Sequence, residues 1–303
     1  LVVFGWHNVA GTWCFPDPEG RGHSGLARQL RFLQRTAHVV DLAEAIDTLQ
    51  AGGTLPPRSV ALTFDDGYRD NLTDAVPLLR ELGLCATFFL VPDVLSGATT
   101  PWWEVVGAAF ERTDHRSVWW DDRALCLVGT ARRRSYELVC DGLKRLDERT
   151  RRQQVRALVD QLAPGVEAEA DRLFLDWDEA RALVGSGMRV GSHSLDHVIL
   201  ANEAPAEQHR NLCESRRALE SHLDVEITLL AYPNGGADDF DAVTEDAARD
   251  AGYRAAVTTI PGRNSPATPP FRVRRFVVGP ERGVVGLRSL VTHRLHRSTR
   301  SAA

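Results

Sequence analysis

Three short segments hold side chains whose types and spacing can do chemistry. In Thr63-Phe64-Asp65-Asp66-Gly67-Tyr68 an apolar run ends in two adjacent carboxylates and a glycine. Successive strand side chains point to opposite faces, so two neighbouring aspartates cannot share one role by alternation. Gly67 tolerates φ > 0, and a turn there lets both carboxylates aim at one place. Alone, Asp-Asp-Gly is more often turn chemistry and a helix N-cap. His193-Ser194-Leu195-Asp196-His197 follows another apolar run. Two histidines four residues apart can converge on one metal ion from a tight loop, whereas a lone histidine is usually a satisfied core or surface group. Together the segments supply two imidazoles and a carboxylate, with one carboxylate to spare: a hydrolytic metal site plus a base. Ala231-Tyr232-Pro233-Asn234-Gly235-Gly236 closes a third run. It is a turn first, and one that can present backbone N–H groups to an oxyanion.

Something must bring these segments together. Short apolar runs alternate with amphipathic stretches, the pattern of a parallel α/β layout. Strands are predicted at residues 1–6, 38–40, 59–64, 86–91, 188–192, 227–232, 254–259 and 273–278, with helices at 24–35, 41–50, 71–82, 176–184, 206–223 and 240–251. Asp41/Glu44 and Asp176/Glu179 are capping-box-like helix starts. Eight candidate strands suit a closed or nearly closed barrel, whose C-terminal mouth is where such folds place active sites. The rhythm breaks at about 93–171, read as a mainly helical insertion with its own packing. Its Trp102, Trp103, Trp119 and Trp120 are core and rim residues or a sugar-stacking platform. The expected organisation is one domain over 1–290 containing this insertion, then a basic, solvated tail at 291–303.

Composition narrows the class. The 303 residues are 43% hydrophobic and 25% charged, a globular balance. Lys+Arg 36 against Asp+Glu 41 gives a net charge of −5, which offers no basic surface for nucleic acid. No apolar run reaches the ~18 residues of a membrane span. The five cysteines include no C-x-x-C pair and read as free thiols of a reducing, cytoplasmic setting. The first residue is Leu1 rather than Met, the mark of a trimmed terminus and compatible with a signal or anchor removed upstream.

Taken together, the three segments resemble the polysaccharide deacetylases, the NodB-type domain of carbohydrate esterase family 4. T-F-D-D-G-Y and H-S-x-x-H match that family's first two motifs at every position, and A-Y-P-N-G is similar to a variant third motif. The resemblance runs from about Val3 to Val278, apart from the insertion. It implies a distorted (β/α) barrel of about seven to eight strands and a hydrolase that removes N-acetyl groups from an N-acetylglucosamine-type sugar or glycan. One divalent ion is implied, zinc foremost, with cobalt, nickel or manganese as alternatives. By motif, Asp66, His193 and His197 would ligate the ion and Asp65 would be the general base. The backbone N–H of Asn234 would face the oxyanion, with Tyr68 and Tyr232 beside the oxyanion or substrate. The motif arginine that braces the base is replaced by Ala231, and Arg275 of V-R-R-F-V-V is the substitute the resemblance suggests. The usual late L-x-H acid strand is missing. Phe4-Gly5-Trp6-His7-Asn8-Val9 instead resembles the Y-H-x-V strand of circularly permuted poly-N-acetylglucosamine deacetylases, which makes His7 the expected acid, with His296 of the tail next in line.

The implied chemistry is attack of water on an acetyl carbonyl, with Asp65 taking the water proton and His7 protonating the leaving amine. Two other readings compete. A carbohydrate-binding relative without activity would not need both aspartates and both histidines. A two-His-one-carboxylate iron oxygenase usually spaces its first ligands H-x-D/E, which is not the pattern here.

Overall fold

The structure is a computed structural model that describes residues 1–17, 21–279 and 284–292. Its strands are β1 (Val2–Trp6), β2 (His38–Val39), β3 (Ser59–Phe64), β4 (Thr87–Leu90), β5 (Ser117–Trp120), β6 (Arg123–Cys126), β7 (Arg189–Ser192), β8 (Leu229–Ala231), β9 (Ala255–Val257) and β10 (Phe276–Val277). Seven of them form a parallel sheet in the order β10-β1-β3-β4-β7-β8-β9, curled into a half-barrel with helices around it. β2 joins as a short eighth member. It pairs with Ser59 and Val60, at the start of β3, while β4 pairs with Thr63 and Phe64, at its end.

The strands read as unbroken apolar runs because both sheet faces are buried. Phe4, Trp6, Val60, Leu62, Phe64, Phe88 and Leu90 pack outward against the helices. Val3, Ala61, Phe89, Ala231, Ala255 and Val257 fill the inside of the curl. The helix Gly22–Thr36 buries Leu26, Leu30 and Leu33 at i, i+4 and i+7. Asp176 and Glu179 form a complete capping box, and Asp41 caps its helix through the Glu44 N–H.

Three expectations are refined. Residues 273–278 are not one strand: Val273 bridges Val257 on one side of the curl, and Phe276–Val277 then pairs with β1 on the other. The helix expected at 71–82 opens with a wide π turn over Asn71–Ala75 before regular helix at Val76–Glu81. Pro77 has no N–H to donate to the Thr73 carbonyl, so a regular i→i−4 ladder cannot run through this point. The expected tail starts inside a helix, Val284–Thr292, in which Val291 is buried. Residues 293–303 lie outside the described residues.

The insertion has a hydrophobic core of its own, built on Trp103, Val106, Phe110, Val118, Leu125, Tyr136, Leu143 and Leu158. Besides helices it contains the antiparallel hairpin β5–β6, which its helical reading missed. The turn residues Asp121 and Asp122 both take positive φ, the conformation of a two-residue hairpin turn that aspartate tolerates. Cys14, from the loop after β1, packs into this second core and so ties the insertion to the barrel mouth.

Candidate active site

Parallel register brings the strand ends into one place. Trp6 pairs with Phe64, and Asp65 N–H donates to the Trp6 carbonyl at 2.9 Å, so His7 and Asp65 emerge side by side. His193 N–H donates to the Leu90 carbonyl at the end of β4. Asp65 continues the inward alternation of β3 behind Ala61 and Thr63. Asp66 breaks it: Asp66 itself is left-handed (φ 70°), followed by Gly67 (φ 76°). That double turn swings the second carboxylate toward the histidines. The expected turn therefore exists, and it begins one residue before the glycine.

Asp66, His193 and His197 are all buried and offer one ligand atom each within 4.8 Å of one another. Asp66 Oδ1 stands 3.3 Å from Nε2 of both imidazoles, yet has no aligned hydrogen bond. His193 Nδ1 lies 2.8 Å from the Ala231 carbonyl, which requires the proton on Nδ1 and leaves the Nε2 lone pair facing Asp66. Two ligand atoms on a tetrahedral zinc at ~2.0–2.1 Å would be about 3.4 Å apart. The donor set therefore fits a divalent ion. Burial pushes the Asp66 carboxyl up, but the His193 and His197 imidazoles outweigh it and hold it well below the usual carboxylate range. Burial pushes His197 below the ordinary histidine value, whereas on His193 contact with Asp66 overcomes burial and raises it.

Asp65 has a different partner. Arg275 Nη1 and Nη2 donate to its two carboxylate oxygens, each at 2.6 Å, with Arg275 at 0% and Asp65 at 2% side-chain exposure. The guanidinium also donates to Thr63 Oγ1 at 3.1 Å and to the Thr258 carbonyl at 3.3 Å. Burial raises the Asp65 carboxyl, and the charge of Arg275 followed by that of His193 brings it below its ordinary value. Arg275 reaches Asp65 by crossing Gly5, where a Cβ would stand 2.9 Å from Arg275 Cδ. The crossover of residues 273–277 between the sheet edges sets this path.

A cleft of about 250 Å³ opens over these groups, lined by Asp65, Asp66, His193, His197, His7 and Asn234. Phe15, Trp102 and Trp103 form aromatic walls, and Arg133, Tyr136, Glu137 and Asp141 bring in the helix Ala131–Leu143 of the insertion, with Lys144 just past its end. The insertion thus packs at the mouth. The tryptophans divide: Trp103 lies against His197 with ring centroids 4.3 Å apart, while Trp119 is 62% exposed and does not line the cleft. His7 is half-buried with its ring stacked on Phe15. Asn234 is left-handed (φ 57°) at the cleft edge, and among the described residues no acceptor takes its N–H.

One placement differs from expectation. Tyr68 does not line the cleft. Its buried hydroxyl donates to Glu104 Oε1 at 2.8 Å and accepts from Trp103 Nε1 at 2.9 Å, so it braces the insertion. Tyr232 lines the cleft, but its ring stacks on Phe240 and its hydroxyl donates to the Phe271 carbonyl, which leaves no free phenol. His296 lies outside the described residues. Residues without a motif also shape the site. Asp70 Oδ2 accepts the Val9 and Ala10 N–H groups, both at 2.8 Å, and Asn71 Nδ2 donates to the His7 carbonyl at 2.8 Å. Both fix the loop that presents His7. Their only sequence signal is polarity directly after the first motif.

An α/β half-barrel with a buried two-histidine, one-carboxylate cluster and an arginine-braced carboxylate at its C-terminal mouth defines a class of hydrolase-like sites. The comparisons specify the family. The polysaccharide deacetylase family model matches residues 52–116 and 141–256, and the chain belongs to that family. Its similarity to YxkH of Bacillus subtilis (strain 168), named as a polysaccharide deacetylase, is 21% identity over 223 residues, 74% of this chain and 52% of the relative. The chain thus spans about half the length of that relative. Among solved structures it is similar in fold to the Streptococcus pyogenes deacetylase PplD in complex with acetate (TM-score 0.65, 16% identity, 97% of this chain and 98% of that one). It is similar as well to a de-N-acetylase from Aggregatibacter actinomycetemcomitans (TM-score 0.61, 16% identity, 95% and 98%). The family match passes over residues 117–140, which contain the hairpin β5–β6 and most of the helix Ala131–Leu143. Among the described residues no helix is long and apolar enough to cross a membrane, and the five cysteines are free thiols.

Proposed function

We propose that this protein is a divalent-metal-dependent N-deacetylase of an N-acetylglucosamine-type sugar or glycan. The observation that carries the reading is the meeting, in one cleft, of the Asp66–His193–His197 cluster with the separately braced Asp65. When bound, a divalent ion, zinc foremost, polarises an acyl carbonyl and lowers the pKa of water. Asp66, His193 and His197 hold the ion.

Asp65 is kept ionised by Arg275 and accepts the proton of the attacking water. The acetyl carbonyl oxygen becomes an oxyanion, and the Asn234 N–H donates to it. A donor of this kind is worth about 3 kcal/mol of transition-state stabilisation. His7 stands beside Asp65 at the strand ends and protonates the leaving amine, which departs poorly without a proton. The aromatic walls give the sugar ring apolar faces to lie against. Acetate and a free amine are the products.

The experiment is acetate release from chitooligosaccharides, poly-N-acetylglucosamine, peptidoglycan fragments and small N-acetylated amino sugars, each with added zinc or cobalt and again after chelation. Metal-dependent acetate release matched by new free amines is the expected result. No release from any of these substrates with metal present would leave a binding protein in place of an enzyme.

A further inference from the structure

We propose that the insertion is part of the metal centre, with Arg152 acting through Asp196 as a positioning residue for His197. This rests on the metal reading of Asp66, His193 and His197. His193 is fixed twice, by its own N–H on Leu90 and by Nδ1 on Ala231. His197 has no such anchor. Its Nδ1 is buried, and among the described residues no group partners it. Metal-ligating histidines usually hold their orientation through the second ring nitrogen, so His197 depends on the turn that presents it.

That turn is costly to hold. Ser194 (φ 63°) and His197 (φ 60°) are both left-handed, a state worth roughly 1–3 kcal/mol of strain per non-glycine residue that persists only where the surroundings over-determine it. The surroundings act from two sides. On the barrel side, Ser215 Oγ donates to the Ser194 carbonyl at 2.9 Å, and Asn211 Oδ1 accepts the Leu195 N–H at 2.8 Å. Asn211 Nδ2 then donates to Asp196 Oδ1 at 2.8 Å. On the insertion side, Arg152 Nη2 donates to the other oxygen, Asp196 Oδ2, at 3.1 Å, while its Nε engages Glu148. Trp103 covers the His197 ring. Asp196 is thus held by one oxygen from the barrel and by the other from the insertion.

With Arg152 51% and Asp196 12% exposed, this ion pair adds little to global stability. Its effect is on geometry. The loss of a partner bonded directly to a ligand typically weakens metal binding about 10–100-fold, and a support that acts one residue away, through Asp196, belongs at the lower end of that scale.

The test uses metal-stripped full-length protein, titrated with zinc against a chromophoric chelator. Arg152→Met, Asp196→Asn and the double variant are compared with Arg149→Met, an exposed arginine on the same helix. Each single variant is expected to bind zinc about tenfold more weakly. The double variant is expected to be no worse than the singles, because the two residues act as one unit. Unfolding midpoints of the metal-free proteins should move no more than that of Arg149→Met. Wild-type zinc affinity in Arg152→Met, or losses that multiply in the double variant, would overturn the positioning role. His193→Ala separates the two failures. If it loses zinc while Arg152→Met does not, only this inference falls. If His193→Ala also keeps zinc, the metal reading falls and takes this inference with it.

Discussion

Replacing Arg275 by Met should be the most damaging single charge removal in the site, and its size follows from burial. The pair has two donor bonds of 2.6 Å and essentially no solvent. Such a bidentate, charge-assisted pair is not itself a large net gain, because both ions lose their hydration. Breaking it is costly, because the surviving carboxylate keeps its desolvation without its counter-ion, and the loss is about 3–5 kcal/mol. Methionine fills most of the volume, so the cavity contribution is small.

The pH dependence fixes the sign. In the native protein the Asp65 carboxyl is held below its ordinary value. Its stabilisation is present above the unfolded pKa of ~3.9 and is lost as pH falls through the folded pKa. In Arg275→Met burial prevails and the folded pKa rises above the unfolded one. The ionised form then costs stability at neutral pH, and the cost is relieved as acid protonates Asp65. The gap between wild type and variant should therefore be about 3–5 kcal/mol near neutrality and should narrow toward the ordinary carboxylate range. Urea unfolding of metal-free protein across that range measures it. Adding Asp65→Asn to the variant should recover much of the loss. In the enzyme assay the acidic limb of kcat/KM should move to higher pH. A loss below about 1 kcal/mol, the scale of an exposed pair, or a gap that does not change with pH, would refute the reasoning.

Three further outcomes are expected. Asp65→Asn should retain the metal and lose about 10²–10⁴-fold in turnover, whereas Asp66→Asn should lose the metal; elemental analysis beside acetate release reads both, and the reverse pattern would exchange their roles. His7→Ala should lower turnover on a similar scale of about 10²–10⁴-fold with metal content unchanged, and full turnover in that variant would move the acid role elsewhere. Gly5→Ala should push Arg275 off Asp65, because the new Cβ would lie 2.9 Å from Cδ and 3.2 Å from Nε and Nη1. Its unfolding and pH profile should resemble a milder Arg275→Met, and a wild-type profile would show that the guanidinium has another path.

What the sequence made legible was whatever sits at a strand end. In a parallel sheet every C-terminal strand end faces one mouth, so Asp65, His193 and Asn234 were expected there from their places after apolar runs, and His7 joined them through the resemblance; all four line one cleft. Local caps were legible for the same reason: Asp176 and Glu179 carry their signal within four residues. Adjacent tryptophans were legible only as a composition, because neighbours diverge. Trp119 and Trp120 sit on opposite faces of β5, one at 62% and the other at 9% exposure.

The remainder of the site joins residues whose separation has no period. Arg275 is one of two adjacent arginines, and only the crossover of the chain between the sheet edges decides that Arg275 turns inward while Arg274 is exposed. The resemblance named it through the short pattern V-R-R-F-V-V, which by itself carries no chemical signal. Glu104 sits among tryptophans and valines on an amphipathic helix, yet it is the buried acceptor for Tyr68 and for Thr12 on the loop after β1. Arg152 lies in an arginine-rich run in which Arg149 and Arg152 are exposed and Arg151 between them is buried, so composition alone does not sort them. Its partner Asp196 reads as mere filling between two histidines. A motif marks the atoms that meet substrate or metal, because chemistry restricts residue type there. The groups that aim those atoms need only a charge or a donor at the right point in space, so several sequences can supply them and none leaves a signature. In this chain such groups come from both sides of the cleft: Arg275, Asp70, Asn71 and Asn211 from the barrel, Glu104 and Arg152 from the insertion.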